Sequence, residues 1–309
     1  MKMKKILTII LSIIVAVSFN GCKATQNTEP QDDARIKIVT TLFPYYDFVR
    51  AVTKGVDGIS ITMTVAPGQD SHSFEPTPKD IIKIEDADLF IYNGGTLETW
   101  VDSVLGALSN DEQVMRMMDY VDVMEEETVE GMDLRYEHSH DHSEEMHSHS
   151  EESEHSHDEE NEHSHDEESE HSHDDKEYDE HIWTSPVNAM KMVGYICDEM
   201  IKIDPENAEI YKANADEYIG KIQNIDTQIR KIVNKMDKKE IIFADKFPLL
   251  YFAKEYGLSY YAAFVGCSAE TEASFETITF LAGKTDELGL KNIMTIEKAD
   301  QKIAKTIIE

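Results

Sequence analysis

Eleven of the thirteen histidines in this 309-residue chain lie between His138 and His173, in a segment of Ser, Asp and Glu that contains almost no apolar residue. Because such a segment cannot bury enough apolar surface to offset the entropy lost on ordering, we expect it to form no core. The unit Glu-His-Ser-His-Asp recurs every eight residues, beginning at Glu154, Glu162 and Glu170. Each unit presents two imidazoles, and neutral imidazole is the commonest metal ligand in proteins.

We interpret this segment as a metal-collecting loop of low affinity, the histidine tract. The alternative is a solvated acidic spacer, which explains the carboxylates but not the paired histidines. The candidate ligands of the tract are its eleven imidazoles: His138, His140, His142, His147, His149, His155, His157, His163, His165, His171 and His173.

The charge of the chain is concentrated around the tract. The formal net charge is −33, and residues 125–180 contain twenty-five acidic side chains against only two basic ones. A strongly acidic protein repels nucleic-acid phosphates and anionic membrane surfaces and attracts cations. We therefore expect no nucleic-acid partner, and a divalent metal ion as the ligand.

The first residues are typical of an export signal. Met1–Lys5 is basic, and Ile6–Val17 is an apolar run that is too short for a stable membrane-spanning helix but suits a secretory signal. The following Ser-Phe-Asn-Gly-Cys resembles the cleavage box of bacterial lipoproteins, with Phe19 in place of a leucine-like residue.

We predict from this a signal peptide over residues 1–21, lipidation of Cys22 and a flexible tether over residues 22–34. The protein is then expected to be extracytoplasmic and attached to the cell membrane by its lipid. An ordinary signal peptide with an incidental cysteine is the alternative.

Strands alternate with helices in the rest of the chain, which predicts an α/β fold with mostly parallel sheets flanked by helices. The helical period from Asp204 to about Met236 covers some thirty residues, or about 45 Å of rise, which suits a strut between two lobes better than the cover of one sheet. The predicted division is a first lobe over 35–124, the loop that carries the tract over 125–180, the end of the first lobe with the linking helix over 181–238, and a second lobe over 239–309.

The two remaining histidines lie at sharp changes in the sequence pattern. His72 lies in the loop Pro67–Pro76, between a predicted strand and a helix that Thr77 caps and Pro78 opens. His181 lies in Asp179–Pro186, where the acidic segment ends. Ligands of parallel sheets bind at the carboxyl ends of the strands, and the His72 loop is predicted to lie there. Taken singly, either imidazole is explained at least as well by a structural role.

Together with their contexts, these two segments closely resemble the zinc-binding solute receptors of bacterial ABC importers. The receptor pattern Pro-Gly-x-x-x-His-x-Tyr/Phe-Glu-Pro-Thr-Pro is matched by Pro67–Pro78, and the pattern Pro-His-Ile-Trp-x-x-Pro by Glu180–Pro186. The family also places a loop rich in His and acidic residues between the two, and the resemblance covers about residues 35 to 309. It implies two α/β lobes joined by one backbone helix, with His72 and His181 as ligands of a metal ion in the interlobe cleft.

The second lobe departs from the receptor pattern, because no histidine follows His181. The family supplies a third histidine in a turn after the first strand of that lobe, where this chain has Phe243–Pro248. We expect carboxylates to complete the site, ranked as Asp245 first, then Glu270 and Asp300. For each of these acids alone, a capping or surface role is the usual one. The relatives also continue beyond the position of Glu309, so the second lobe is expected to be incomplete, by truncation or by natural variation.

The resemblance implies a monomeric lipoprotein that captures Zn²⁺ and delivers it to an ABC transporter permease, without enzymatic activity. Because carboxylate oxygen replaces a third imidazole, Mn²⁺ is the alternative ion. A metal-buffering or adhesive surface lipoprotein is the rival function. A zinc hydrolase is the third reading, but neither a His-Glu-x-x-His pair nor a nucleophile elbow supports it.

Overall fold

The computed structural model describes residues 34–69, 71–106, 108, 113–132, 177–266, 268, 272–296 and 301–308. Cys22, the histidine tract and the candidate ligands Glu270 and Asp300 lie outside the described residues. Over the ranges that are described, no helix has both the length and the apolar character needed to cross a membrane.

The first lobe is built on a sheet of four parallel strands in the order β2-β1-β3-β4, which confirms the predicted sheet type. The strands are β1 Ile36–Thr40, β2 Ile59–Met63, β3 Leu89–Tyr92 and β4 Val114–Arg116. Strand β4 was not predicted, because three residues are too few to show an alternating pattern.

Successive residues of β3 are buried on opposite faces of this sheet, as the two-residue period of a strand requires. Leu89 and Ile91 belong to the larger core of the lobe, whereas Phe90 and Tyr92 belong to the core on the other face. The larger core is covered by α1 (Phe43–Val52) and α4 (Pro186–Ile203), and the other face by α2 (Pro78–Glu85) and α3 (Trp100–Leu105). The start of α2 is as predicted, because Thr77 and Asp80 form a capping box and Pro78 opens the helix.

The linking helix α5 runs from Ala208 to Val233 and contacts both lobes. Its 26 residues correspond to about 39 Å, so the predicted helix was too long at both ends. At its start, Pro205–Asn207 forms a separate 3₁₀ turn, since the Asp204 carboxylate binds Arg35, Asn207 and Tyr211. Tyr211 is buried in the core of the first lobe. Near the other end, Asp226 accepts a hydrogen bond of 3.0 Å from the Tyr256 hydroxyl of the second lobe.

The second lobe contains two parallel strands, β5 (Glu240–Phe247) and β6 (Ser259–Val265). Its helices are α6 (Leu250–Tyr256), α7 (Phe275–Leu288) and α8 (Lys302–Ile308). Beside β5, Met294 forms a single parallel bridge with Phe243.

Both described ends of the predicted loop 125–180 are packed on the second lobe. Residues 124–126 pair with residues 177–179, through a bridge between Glu125 and Tyr178 and the bonds Glu126 N to Glu177 O and Asp179 N to Met124 O. We call this pair of segments the stem. Beyond it, Met132 belongs to the core of the second lobe together with Ile241 and Phe243. The borders predicted at 125 and 180 therefore fall inside packed structure, because the apolar residues Val129 and Met132 extend past the first border.

The Asp204 carboxylate leads to a prediction about stability. Its bond to the Arg35 guanidinium holds the pKa of Asp204 well below its usual range, and it also accepts a bond of 2.6 Å from the buried Tyr211 hydroxyl. Asp204→Ala leaves that hydroxyl without its acceptor and should lower the free energy of unfolding by about 2 kcal/mol in urea titrations. Asp57→Ala, at an exposed position, should change it by less than about 0.5 kcal/mol.

The effect of Asp204→Ala should also depend on pH. A carboxylate whose pKa is lowered by folding stabilises the protein above its unfolded pKa, near about 4, and this contribution is lost as pH falls towards the folded pKa. The difference between the wild type and Asp204→Ala should therefore be constant near neutral pH and shrink below about pH 4. A difference that stays the same at low pH would contradict the role given to this carboxylate.

Candidate metal site

The loop with His72 leaves the carboxyl end of the first-lobe sheet. The chain stays bound to β1 beyond the end of β2, through Thr64 N to Thr40 O and Val65 N to Thr41 O. The loop is then anchored by Phe74, whose buried ring packs edge-on against Trp100 at a centroid distance of 5.1 Å. His72, two residues before this anchor, is exposed. His72 therefore lies in the loop at this edge of the sheet, and its role as a ligand stays a prediction.

His181 is held by the carboxylate of Asp179. Its backbone N–H donates to Asp179 Oδ1 at 2.8 Å, and its ring Nδ1 lies 3.3 Å from the same oxygen. The side chain is 13% exposed, and the ring packs against Trp183. With Nδ1 protonated and directed at the carboxylate, Nε2 carries the lone pair that can bind a metal ion.

Asp179 itself is fixed by the second lobe. Its carboxylate is buried, and its backbone oxygen accepts a bond of 2.7 Å from the Tyr251 hydroxyl at the start of α6. The same hydroxyl accepts a bond of 3.0 Å from Met124 N, on the other strand of the stem. One tyrosine of the second lobe therefore binds both strands of the stem, two residues before His181.

The carboxyl ends of the second-lobe strands also reach His181. Gly266 follows β6, and a Cβ added there would lie 2.9 Å from Phe247 O, 3.1 Å from Asp179 Oδ2 and 3.2 Å from His181 Cε1. No larger side chain fits without a shift of one of these groups. His181 thus lies between the two lobes, at the edge where the parallel strands of both sheets end.

Asp245, the first-ranked carboxylate, lies in a different environment from the one expected. It was predicted in a turn after the strand, but β5 continues through it to Phe247, because a bulge between Phe243 and Lys246 lets the pairing with β6 resume. Its Oδ1 accepts a bond of 2.9 Å from Lys246 N, and its Oδ2 one of 3.4 Å from Ile296 N. Its half-buried carboxylate therefore also holds the segment after Met294.

The structure does not bring the predicted ligands together as a complete set. Within the described ranges, no three His, Cys, Asp or Glu side chains are grouped closely enough to hold a metal ion. Glu270 and Asp300 belong to segments outside those ranges, and Glu270 follows Gly266 by four positions. The convergence of His72 and His181 on one ion stays a prediction.

Asp179, Tyr251 and Gly266 were not identified as site residues from the sequence. A carboxylate two positions before a candidate ligand could have suggested Asp179, but no local pattern points to Tyr251 or Gly266.

Glu98 is a further buried carboxyl near the site. It lies in the turn that follows β3, where it accepts a hydrogen bond of 2.7 Å from Asn93 N. Burial raises the pKa of Glu98 to about 7, so this carboxyl is partly protonated at neutral pH.

Residues 38–309 match the model of a protein family described as zinc-uptake complex component A, periplasmic. The chain is 34% identical to the high-affinity zinc uptake system protein ZnuA of Bacillus subtilis over 301 residues, 97% of this chain and 83% of the relative. It is 32% identical to the zinc-binding protein AdcA of Streptococcus pyogenes serotype M3 over 310 residues, 99% of this chain and 54% of the relative. The chain thus spans about half the length of AdcA.

Solved structures share the fold. The metal-dependent lipoprotein YcdH from Bacillus subtilis superposes with a TM-score of 0.63 at 29% identity, covering 88% of this chain and 83% of that one. The Zn(II)-bound ZnuA-like domain of Streptococcus pneumoniae AdcA superposes with a TM-score of 0.61 at 24% identity, covering 88% and 82%. The second likeness concerns the fold alone.

The close approach of Gly266 to His181 can be tested by adding a methyl group. In Gly266→Ala the added Cβ lies nearest to Phe247 O and also crowds Asp179 and the His181 ring, so one of these groups or β6 must shift. We expect this to weaken Zn²⁺ binding on the order of tenfold in a chelator competition. The matched control is Gly220→Ala on α5, where an added Cβ meets nothing within 4 Å. That variant should keep the affinity and gain up to about 1 kcal/mol of stability. Equal affinities in both variants would show that the approach of the lobes does not affect binding.

Proposed function

This chain belongs to the zinc-uptake complex component A family, and we propose that it captures Zn²⁺ between its two lobes and delivers it to the permease of an ABC transporter. The observation that carries the proposal is the position of His181. Its imidazole is held by a buried carboxylate of one segment and lies against the strand ends of the other lobe. When the lobes separate, a metal ligand at this position loses its contacts with the other lobe. A receptor that captures an ion and then releases it requires such a change.

The proposed coordination uses ligands from both lobes. His181 and the exposed His72 come from the first lobe, and the carboxylates of Asp245, Glu270 and Asp300 are the candidates from the second. Two imidazoles with carboxylate oxygen suit Zn²⁺ in a tetrahedral site, and Mn²⁺ is the alternative ion because oxygen ligands favour it more. The relatives ZnuA and AdcA, named for zinc uptake and zinc binding, support zinc as the first choice.

The histidine tract has an auxiliary role in this proposal. The described ends of the acid-rich loop are paired in the stem, which ends at Asp179, two residues before His181. Imidazoles tethered at this point raise the local concentration of metal ions beside the cleft, with an effective concentration set by the length of the loop. The carboxylates of the loop add an attractive field for cations.

The proposal places the protein outside the cytoplasm, anchored through a lipid on Cys22, and acting as a monomer. The lipoprotein-like box at Ser18–Cys22 supports the anchor.

A metal-buffering or adhesive lipoprotein, the rival function, would have the same anchor and the same metal affinity. Deletion of the gene distinguishes a transport receptor from such a lipoprotein, since only a transport receptor is required for growth in zinc-depleted medium. A hydrolase would be distinguished by turnover in a solution assay.

Alanine substitution of the ligands tests the site directly. His72→Ala and His181→Ala should each reduce the affinity for Zn²⁺ more than about 100-fold, beyond the range that is usual for residues outside the coordination sphere. Asp245→Ala, Glu270→Ala and Asp300→Ala should show which carboxylates complete the set. The measurement is competition with a chelator strong enough to keep the tract empty.

The control for these variants is His147→Ala, which removes one imidazole of the tract and should leave the tight affinity unchanged. Wild-type affinity in both His72→Ala and His181→Ala would refute the cleft site.

Deletion of residues 138–173 tests the role of the tract. We expect the number of bound Zn²⁺ ions to fall while one tight site remains, because the tight ligands lie outside the deleted segment. A second variant, with all eleven histidines of the tract replaced by Asn, keeps the carboxylates and the loop length. If that variant binds as many ions as the wild type, the segment is an acidic spacer and not a histidine collector. Isothermal calorimetry gives both the number of ions and the affinity.

A further inference from the structure

We propose that Glu180 is a positioning residue: its carboxylate holds His181 in a fixed position relative to the first-lobe sheet and thereby sets the metal affinity of the cleft. This inference rests on the proposed function, because it assumes that His181 is a ligand. It concerns a residue that is not itself a candidate ligand: its carboxylate is directed into the first lobe and is fully engaged there.

The carboxylate of Glu180 is buried and satisfied by a turn more than eighty positions earlier in the chain. Its Oε1 accepts hydrogen bonds from the backbone N–H and from the hydroxyl of Thr96, the latter at 2.8 Å, and its Oε2 accepts one of 2.5 Å from Leu97 N. Thr96 and Leu97 begin a short 3₁₀ helix, Thr96–Glu98, whose own N-cap is a glycine without a side chain. Glu180 therefore supplies the acceptor that the local sequence lacks.

The turn is shaped to admit this carboxylate. Gly95 has a φ of +79°, and a Cβ at this position would overlap the Glu180 carboxylate. Glycine is required here for two reasons: the backbone has a positive φ, and a Cβ would occupy the space taken by the carboxylate. The fit explains why a glutamate side chain can be buried at this point with hydrogen bonds to three groups.

The main chain of Glu180 is bound to the same turn. Its carbonyl oxygen accepts a bond of 3.0 Å from the Asn93 side chain, at the end of β3. Asn93 is oriented in turn by the Tyr45 hydroxyl, which donates to its Oδ1. Both the side chain and the backbone of Glu180 are thus tied to the carboxyl end of β3.

These bonds leave His181 little freedom. Asp179, the residue before Glu180, accepts a hydrogen bond from the His181 backbone N–H and lies near the His181 ring. Glu180 itself is bound to Asn93 at the end of β3. The imidazole is separated from these fixed points by only its own backbone and side-chain torsions. The zinc receptor pattern has proline at the position of Glu180, and proline restricts the backbone through its ring. Here hydrogen bonds provide the restriction.

A positioning role differs from a purely structural one in what a substitution changes. If Glu180 only stabilised the fold, its loss would lower the melting temperature and leave the affinity of the folded protein unchanged. If it positions His181, the folded variant binds metal less tightly and with altered geometry. Cobalt(II) reports that geometry, because its visible absorption depends on the arrangement of its ligands.

The test uses the purified full chain with Glu180→Gln and Glu180→Ala. The near-isosteric Gln keeps one acceptor and loses the one for Leu97 N–H. We expect Zn²⁺ affinity in chelator competition to fall roughly tenfold for Gln and up to about 100-fold for Ala, with a changed Co²⁺ absorption spectrum in both. Glu177→Gln, exposed three positions earlier, should match the wild type in both measurements.

Asp204→Ala is the stability-matched control, because it weakens the first lobe at a distance from the stem. It should keep the wild-type affinity and Co²⁺ spectrum. An unchanged affinity and spectrum in Glu180→Gln, or an equal loss of affinity in Asp204→Ala, would overturn the positioning role while leaving the proposed function intact. A wild-type chain without a tight Zn²⁺ site would overturn both.

Discussion

The arrangement of the molecule depends on the way the short segment 179–181 is bound by both lobes at once. Tyr251 of the second lobe donates to the backbone of Asp179, and the first-lobe turn after β3 binds both the carboxylate and the backbone of Glu180. His181 follows immediately. Because Asp179, Glu180 and Tyr251 are buried, the hydrogen bonds of their buried groups are shielded from water and each unpaired partner would be costly. The position of the candidate ligand is therefore fixed by polar contacts rather than by apolar packing alone.

The two lobes are joined by the helix α5 and by the two strands of the stem. The helix α5 contacts the first-lobe core through Tyr211 and the second lobe through Asp226, whose other partners include Arg230. The two strands of the stem form the other connections, and they lie on the side of the cleft where His181 is found. The stem is bound to the second lobe through Tyr251, and the residues that follow its first strand are held there by the packing of Met132.

The acidic charge and the site are linked through the same stem. Most of the negative charge of the chain lies in residues 125–180, and the described ends of this segment meet beside Asp179. In the proposed function this charge supplies the electrostatic attraction for cations. The described part of this segment contributes the apolar Val129 and Met132 to the second-lobe core, and its buried carboxylates, those of Asp179 and Glu180, are hydrogen-bonded. The proposed function thus gives collection and tight binding to different parts of one chain.

The sequence by itself determined the α/β class, the parallel first-lobe sheet and the capped start of α2, because hydrophobic period and capping residues are local signals. The resemblance to the receptor motifs identified His72 and His181 as candidate metal ligands. The three-residue strand β4, the continuation of β5 through Asp245 and the packing of residues 125–132 on the second lobe depended on neighbours distant in the chain. The same holds for Tyr251, Gly266 and the cap that Glu180 provides to Thr96. Only the tertiary structure could decide these, because a hydrogen bond between residues eighty positions apart leaves no periodic trace in either segment.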